Sequence, residues 1–600
     1  MFWSRCLELF LSLPALVIVV RAGTVTYDWN VTWVWAKPDG FGRPVIGINH
    51  KWPCPTLEAT VGDTVIVNFL NKLGNQTAGL HFHGVSQLQT PEMDGPSGVT
   101  QCPVPPDASV KYQFTADAPG TFWYHSHNMG QYPDGLRGPL IVHDPNDPYK
   151  SSYDEEVILS VSDWYHNSSL KAVQSMLSPY NTRFAPPIPD SLIVNEGLGS
   201  HINVTKGKTY RIRIINFAAF GSAMIHFDSH TMNIIANDAA YVKKTDAYQL
   251  RIAPAQRYDV LIAPLDQDSG NYPFLISLDL NRDWTNSSQQ LKWAHNYTGY
   301  LVLDSSKKLD KKDVVNKWQP IDESLLEPYD GAPAYSSYDQ LIQLDFKFCL
   351  DQNGYPRSCF NNITYISQKV PTLYSVATTG DQNTNPVIYG QVNPFIVNFN
   401  QTVQIVVNNI DTATHPFHLH GHHFQLLARP SSGVGTWPGH EGNYVSTPPM
   451  RDTVTVMPNS YAVLRFKADN PGVWLFHCHI EWHVEMGLTA TIIEAPDRLR
   501  NLTFPDDHID VCKKSNTPYQ GNAAGNTKNV TDTSGFVTVP PTTYSGAVWS
   551  PSSTTKIPAY GRPTNTARAV ALAIEDQVDD ESLAKILTQA LSAIFSVRKD

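Results

Sequence analysis

Three stretches of the chain share one alternation of apolar and polar positions. They are Gly62-Asp-Thr-Val-Ile-Val-Asn-Phe-Leu-Asn71, Gly207-Lys-Thr-Tyr-Arg-Ile-Arg-Ile-Ile-Asn216 and Asn400-Gln-Thr-Val-Gln-Ile-Val-Val-Asn-Asn409. Each passes from a turn signal into a run of strand-forming residues, which predicts the same β-strand in three copies of one domain. Short Val-, Ile-, Thr- and Tyr-rich segments broken by Gly and Pro continue along most of the chain. That pattern belongs to an all-β protein built of sandwiches or barrels.

A second repeat links only the two ends. Ala116-Asp-Ala-Pro-Gly120 through His125-Ser-His127 aligns without a gap on Ala468-Asp-Asn-Pro-Gly472 through His477-Cys-His479. A third pairs His81-Phe-His-Gly84 with His418-Leu-His-Gly421, and the middle copy has neither histidine motif. The chain therefore reads as three β-domains, at 23–146, 147–320 and 321–515, with metal ligands in the outer two and a spacer between them. Beyond 515 the composition turns to Ser, Thr, Pro, Asn and Gly, predicting a solvated linker over the first part of 516–600. Leu583, Ile586, Leu587, Ala590, Leu591 and Ile594 then recur at helical spacing and predict a short amphipathic helix.

Six hundred residues exceed what one core organises, in keeping with several domains. The net charge of −11 argues against a nucleic-acid binder and favours neutral or cationic small partners. Residues 1–22 read as a secretory signal: Arg5 flanks the short apolar run Leu9 to Val20, and Val20-Arg21-Ala22 offers a cleavage site. Asn-X-Ser/Thr sequons at Asn30, Asn75, Asn167, Asn203, Asn296, Asn362 and Asn400 agree with export to the cell surface or medium. No later segment is long and apolar enough to predict a transmembrane anchor. Of seven cysteines, Cys6 lies in the signal and Cys478 stands between two histidines as a ligand. The remaining five leave one over: Cys349 with Cys359 and Cys102 with Cys512 are the expected pairs, and Cys54 is left free.

The chemistry lies in four histidine clusters: His81 and His83; His125 and His127; His415, His418 and His420; and His477-Cys478-His479 with His483. Along a strand, residues i and i+2 share a face and i+1 takes the other. His477 and His479 therefore point one way and the Cys478 thiolate the opposite way, so one dipeptide link joins two metal centres. A thiolate with two imidazoles and no strong axial donor suits a blue-copper electron-transfer site, whereas zinc has no redox role.

With these segments in view, the chain resembles the multicopper oxidase family over roughly residues 25 to 515. It is most similar to the ascomycete branch of iron-uptake ferroxidases and pigment-forming, laccase-like oxidases. The resemblance implies three cupredoxin-like Greek-key barrels and four copper ions. His415, Cys478 and His483 match the type 1 ligands, and His81 and His418 the type 2 pair. His83, His125, His127, His420, His477 and His479 match the type 3 ligands. Leu488 takes the axial type 1 position, where it donates nothing and favours a higher potential. Asp94 and Glu481 match the acids that relay protons for O2 reduction.

The resemblance leaves two substrates open. Asp411, four residues before His415, and Tyr365 match residues of a ferroxidase iron site, and Asp279 or Asp283 would supply a further carboxylate. The expected Glu before Pro-Ile-Pro, however, is Pro186, and no membrane anchor is visible. In a phenol oxidase, Asp411 would accept the phenol proton instead. These departures lead to the expectation of a secreted laccase-like oxidase of phenolic or polyketide-type aromatics with O2 as acceptor, ahead of a ferroxidase of Fe(II).

Overall fold

The computed structural model describes residues 22–539 except 265–269, 280–294, 310–314, 316–317 and 443. The expected signal residues 1–21, the tail helix at 583–594 and Asp283 lie outside the described residues. Six sheets form three pairs, built from residues 24–143, 155–302 and 340–494, and helices are few and short. No helix among the described residues is long and apolar enough to cross a membrane.

The three repeated stretches form the strands Thr64–Asn71, Tyr210–Asn216 and Thr402–Asn409. Each runs parallel to the first strand of its own unit, Thr24–Ala36, Glu155–Trp164 or Gln340–Leu350. Each runs antiparallel to a later strand, Ser109–Thr115, Arg257–Ile262 or Ser460–Lys467. Fully buried apolar residues such as Val65, Val67 and Phe69, Ile212 and Ile214, and Ile405 and Val407 fill the space between paired sheets.

Each repeat ends on a buried asparagine with one task. Asn71 Nδ2 donates to the carbonyls of Gln76 and Val104 while its Oδ1 accepts from Leu73 N. Asn216 donates to Gly221 and Ile252 and accepts from Ala218 N. Asn409 donates to Ala413, Val456 and Met457 and accepts from Asp411 N. An amide offers donors and an acceptor at once, so one side chain satisfies the buried backbone groups of the loop that leaves the strand.

The second sheet of each outer unit carries the histidines. Leu80–His83 pairs with Gly120–Ser126 so that His81 lies opposite His125. His415–Leu419 pairs with Gly472–Cys478 so that His418 lies opposite His477. The Cys102–Cys512 disulfide ties the C-terminal helix Asp506–Lys514 back to the first unit, Cys349–Cys359 closes a hairpin, and Cys54 is buried and free, all as expected.

Candidate metal centres and the proton-relay acids

Two candidate centres flank the strand Gly472–Cys478 of the third unit, one within that unit around Cys478 and one where the strand meets Leu80–His83 and Gly120–Ser126 of the first. Around the thiolate, Cys478 Sγ stands 3.8 Å from His415 Nδ1 and 3.6 Å from His483 Nδ1. Cys478 ends its strand, and the five-residue helix Glu481–Glu485 then turns His483 back toward the sulfur. Phe346 and Phe348 pack against His415, and Phe348 also against His483. Leu488 is fully buried in the same core cluster, and its carbonyl accepts from Cys478 N.

The remaining eight histidines converge on one cavity. His81, His418 and His420 form one group whose ligand atoms approach within 4.8 Å, and His127, His420 and His477 another. His420 Nε2 and His477 Nε2 face each other at 3.1 Å. The His479 ring lies 5.0 Å from that of His83 and 5.4 Å from that of His125. His477 and His479 thus turn toward the first unit's imidazoles while Cys478 turns away, as strand alternation requires.

The second nitrogen of most of these rings is tied down. His81 Nδ1 and His418 Nδ1 donate to the carbonyls of Asp94 and Asp452, and His125 and His477 donate to the carbonyls of the residues that follow them. His420 Nδ1 donates to Asp94 Oδ2 at 2.9 Å, and His83 Nε2 to Asp452 Oδ1 at 3.2 Å. This fixes each tautomer and ring plane, the arrangement expected of metal-bound imidazoles.

The nitrogens on the cavity side test the fit of copper. His81 Nε2, His83 Nδ1, His125 Nε2, His418 Nε2 and both His479 nitrogens are buried without a hydrogen-bond partner. So many orphaned polar atoms in one place cost several kcal/mol in total unless a cation satisfies them. Burial, reinforced by neighbouring imidazoles, holds His83, His125, His127, His418, His420 and His479 well below the usual histidine range, and burial lowers His477 to about 4. The rings are therefore neutral, as ligands must be. Burial pushes the Cys478 thiol up, so a thiolate there needs a bound cation. Nitrogen donors in one cavity and a thiolate with two imidazoles in the other fit copper.

Asp94 follows the short turn Pro91–Met93. Its carboxylate lies 3.1 Å from His81 Nδ1 as well as accepting from His420, and burial raises its pKa. Glu481 opens the helix before His483, and burial, then the neighbouring Glu485, holds it well above the carboxylate range. Asp411 is partly exposed, with 17% of its side-chain surface accessible, and its Oδ2 accepts from the buried His415 Nε2 at 2.9 Å. Asp279 pairs with Arg251 Nε, and Arg251 Nη2 donates to Thr414, next to His415. Tyr365, which matches a tyrosine of a ferroxidase iron site, lines a cavity of about 560 Å³ together with His127.

Models of the multicopper oxidase family match residues 30–147, 155–302 and 365–498. The chain belongs to the multicopper oxidase family. It is a copper-dependent oxidoreductase that takes electrons from a reducing substrate and passes them to O2, and proteins of this family carry one type 1, one type 2 and two type 3 coppers. Among similar multicopper oxidases, the iron transport multicopper oxidase fetC of Epichloe festucae is 48% identical over 90% of this chain and 87% of its own. The iron transport multicopper oxidase FET3 of Saccharomyces cerevisiae is 37% identical over 89% of this chain and 85% of its own. The crystal structure of Fet3p, described as a multicopper oxidase that functions in iron import, superposes with a TM-score of 0.81 at 37% identity, over 86% of this chain and 99% of that one. A laccase from Botrytis aclada gives 0.72 at 27%, over 82% and 92%.

These relatives overturn the laccase-like expectation and favour the ferroxidase alternative. The expectation leaned on Pro186 and on the lack of a visible membrane anchor, while Asp411 bonds the type 1 histidine His415.

Two residues close to the cluster left no mark in the sequence. Asp452 lies beside His83 and His418, and Arg257 comes from the middle unit, which has no histidine motif. Asp452 lies 32 positions beyond His420, and no spacing rule points to it.

Proposed function

We propose that this chain is a ferroxidase that oxidises Fe(II) to Fe(III) at a type 1 copper held by His415, Cys478 and His483. His81, His83, His125, His127, His418, His420, His477 and His479 would hold the coppers at which O2 is reduced. Four Fe(II) each give up one electron, and one O2 takes four electrons and four protons to yield two waters. Copper, when bound, supplies the one-electron carrier and the O2-binding centre.

The observation that carries this reading is the Asp411–His415 bond. The Asp411 carboxylate, partly open to solvent, is a hard oxygen donor that favours Fe(III) over Fe(II). Its Oδ2 accepts from the Ala413 backbone N–H and from the Nε2–H of His415, a ring whose Nδ1 faces the thiolate. Iron bound there therefore has a continuous path of one hydrogen bond and one ring to the sulfur. Asp279 stands close by, but its charge is shared with Arg251, and Pro186 adds no carboxylate. From Cys478 the peptide link leads to His477 and His479. Burial, then the neighbouring Glu485, raises Glu481 above the usual carboxylate range beside the cluster, which suits a proton relay, and Asp94 orients His420 and His81. The signal-like residues 1–22 support export of the protein.

Steady-state O2 consumption with Fe(II), compared in parent and Asp411→Ala, tests the reading. The variant is expected to lose roughly 10–100-fold in kcat/KM for Fe(II) with its blue colour retained, the scale for removing a partner of a metal-bound histidine. A variant as fast as the parent with Fe(II), or a parent without Fe(II)-dependent O2 uptake, would defeat the proposal.

A further inference from the structure

The middle unit, bare of histidine motifs, nonetheless reaches the cluster through one side chain. Arg257 opens the strand Arg257–Ile262 and is 1% exposed. Its Nη1 and Nη2 donate to Asp452 Oδ1 and Oδ2 at 2.8 and 2.6 Å, its Nε to the carbonyl of Thr121 at 2.8 Å, and its Nη1 also to the carbonyl of Ala255. Asp452, from the third unit, is fully buried, and Oδ1 also accepts from His83 Nε2 and from Thr453 Oγ1. The Asp452 backbone carbonyl accepts from His418 Nδ1. One guanidinium of the middle unit thus fixes one aspartate of the third, which orients a histidine from each outer unit.

Gly84, the last residue of His81-Phe-His-Gly84, makes the junction possible. Its φ is +87°, and a Cβ there would stand 2.7 Å from Arg257 Nη2 and 2.8 Å from Asp452 Oδ2. The motif's glycine is therefore read by the ion pair packed against it as well as by the turn.

We infer that Arg257 is a positioning residue for the copper cluster, so that the middle unit sets the cluster's geometry instead of acting as a spacer. A planar fork gripping both oxygens leaves the carboxylate a single orientation, which an ammonium cannot reproduce. Asp452 meets His83 at Nε2 and His418 at Nδ1, away from their unpartnered nitrogens, and Arg257 acts through Asp452. The inference rests on the ligand assignment above, not on iron as substrate.

The test compares full-length, copper-loaded parent, Arg257→Lys and Asp452→Asn. It reads copper per chain, the electron paramagnetic resonance signal of the cluster's type 2 copper, and the blue absorption at the Cys478 site. A parent lacking four coppers and the blue colour would defeat the assignment before the variants are considered. Given that parent, both variants are expected to keep the blue absorption per chain. Their cluster copper should be removed by chelator roughly 10–100-fold more readily, with altered type 2 parameters and a milder effect for lysine. Parental copper retention and parental spectra in Arg257→Lys would overturn the inference. So would loss of blue colour in step with cluster copper, or failure of Arg257→Lys to fold, since either makes the arginine a general structural residue.

Discussion

Asn71, Asn216 and Asn409 do the same structural work, but only Asn409 holds a residue of the proposed iron site. Truncating Asn409 to alanine leaves buried acceptors at Ala413 and Met457 and the Asp411 N–H without partners, and loosens the contact to Val456. At about 1 kcal/mol for each bond lost, the loss is about 3–4 kcal/mol. For a unit of this size that is roughly 5–10 °C in apparent melting temperature. Asn216→Ala removes two donations and one acceptance and is expected to cost a similar amount. The two variants should part in kinetics. With its N–H unanchored, Asp411 no longer holds its angle to His415, and kcat/KM for Fe(II) should fall about tenfold in Asn409→Ala. Asn216→Ala, normalised to blue copper, should match the parent. Calorimetry and stopped-flow oxidation of Fe(II) read the two effects separately. Equal kinetic losses in both variants, or none in Asn409→Ala despite the expected drop in melting temperature, would refute the claim that Asn409 positions Asp411 for iron.

Copper removal should expose the buried histidines to acid. Their folded pKa values are depressed, so below the unfolded value of about 6.5 the unfolded chain binds more protons and stability falls as pH drops. His477, lowered to about 4, contributes on its own a loss of about 3 kcal/mol between pH 6.5 and 4. Urea melts of the chelated protein should therefore weaken steeply across that window, and a flat profile would contradict neutral buried rings. Replacing Leu488 with Met offers a thioether to the type 1 copper. Redox titration should then give a lower potential with the blue colour kept, and an unchanged potential would remove Leu488 from the axial position.

The three-fold strand repeat, the all-β class and the opposed faces of His477-Cys478-His479 were legible in the chain because they depend on local period alone. A strand reverses its side chains every residue wherever it is placed. The cysteine pairing was only partly legible: Cys349 and Cys359 are close in sequence, but Cys102 and Cys512 lie 410 positions apart and no local rule joins them. The substrate was not, because it turns on which carboxylate stands against which imidazole, and Asp411 and Pro186 carry no weights in a list of residues. The resemblance grouped His83, His125 and His479 in one ligand set, but their facing across two units is a contact of the tertiary structure. That structure alone brought Arg257, 174 positions beyond His83, onto the aspartate that orients it. Those contacts are made by packing whole units against one another, and nothing in a local period encodes where another unit's surface will lie.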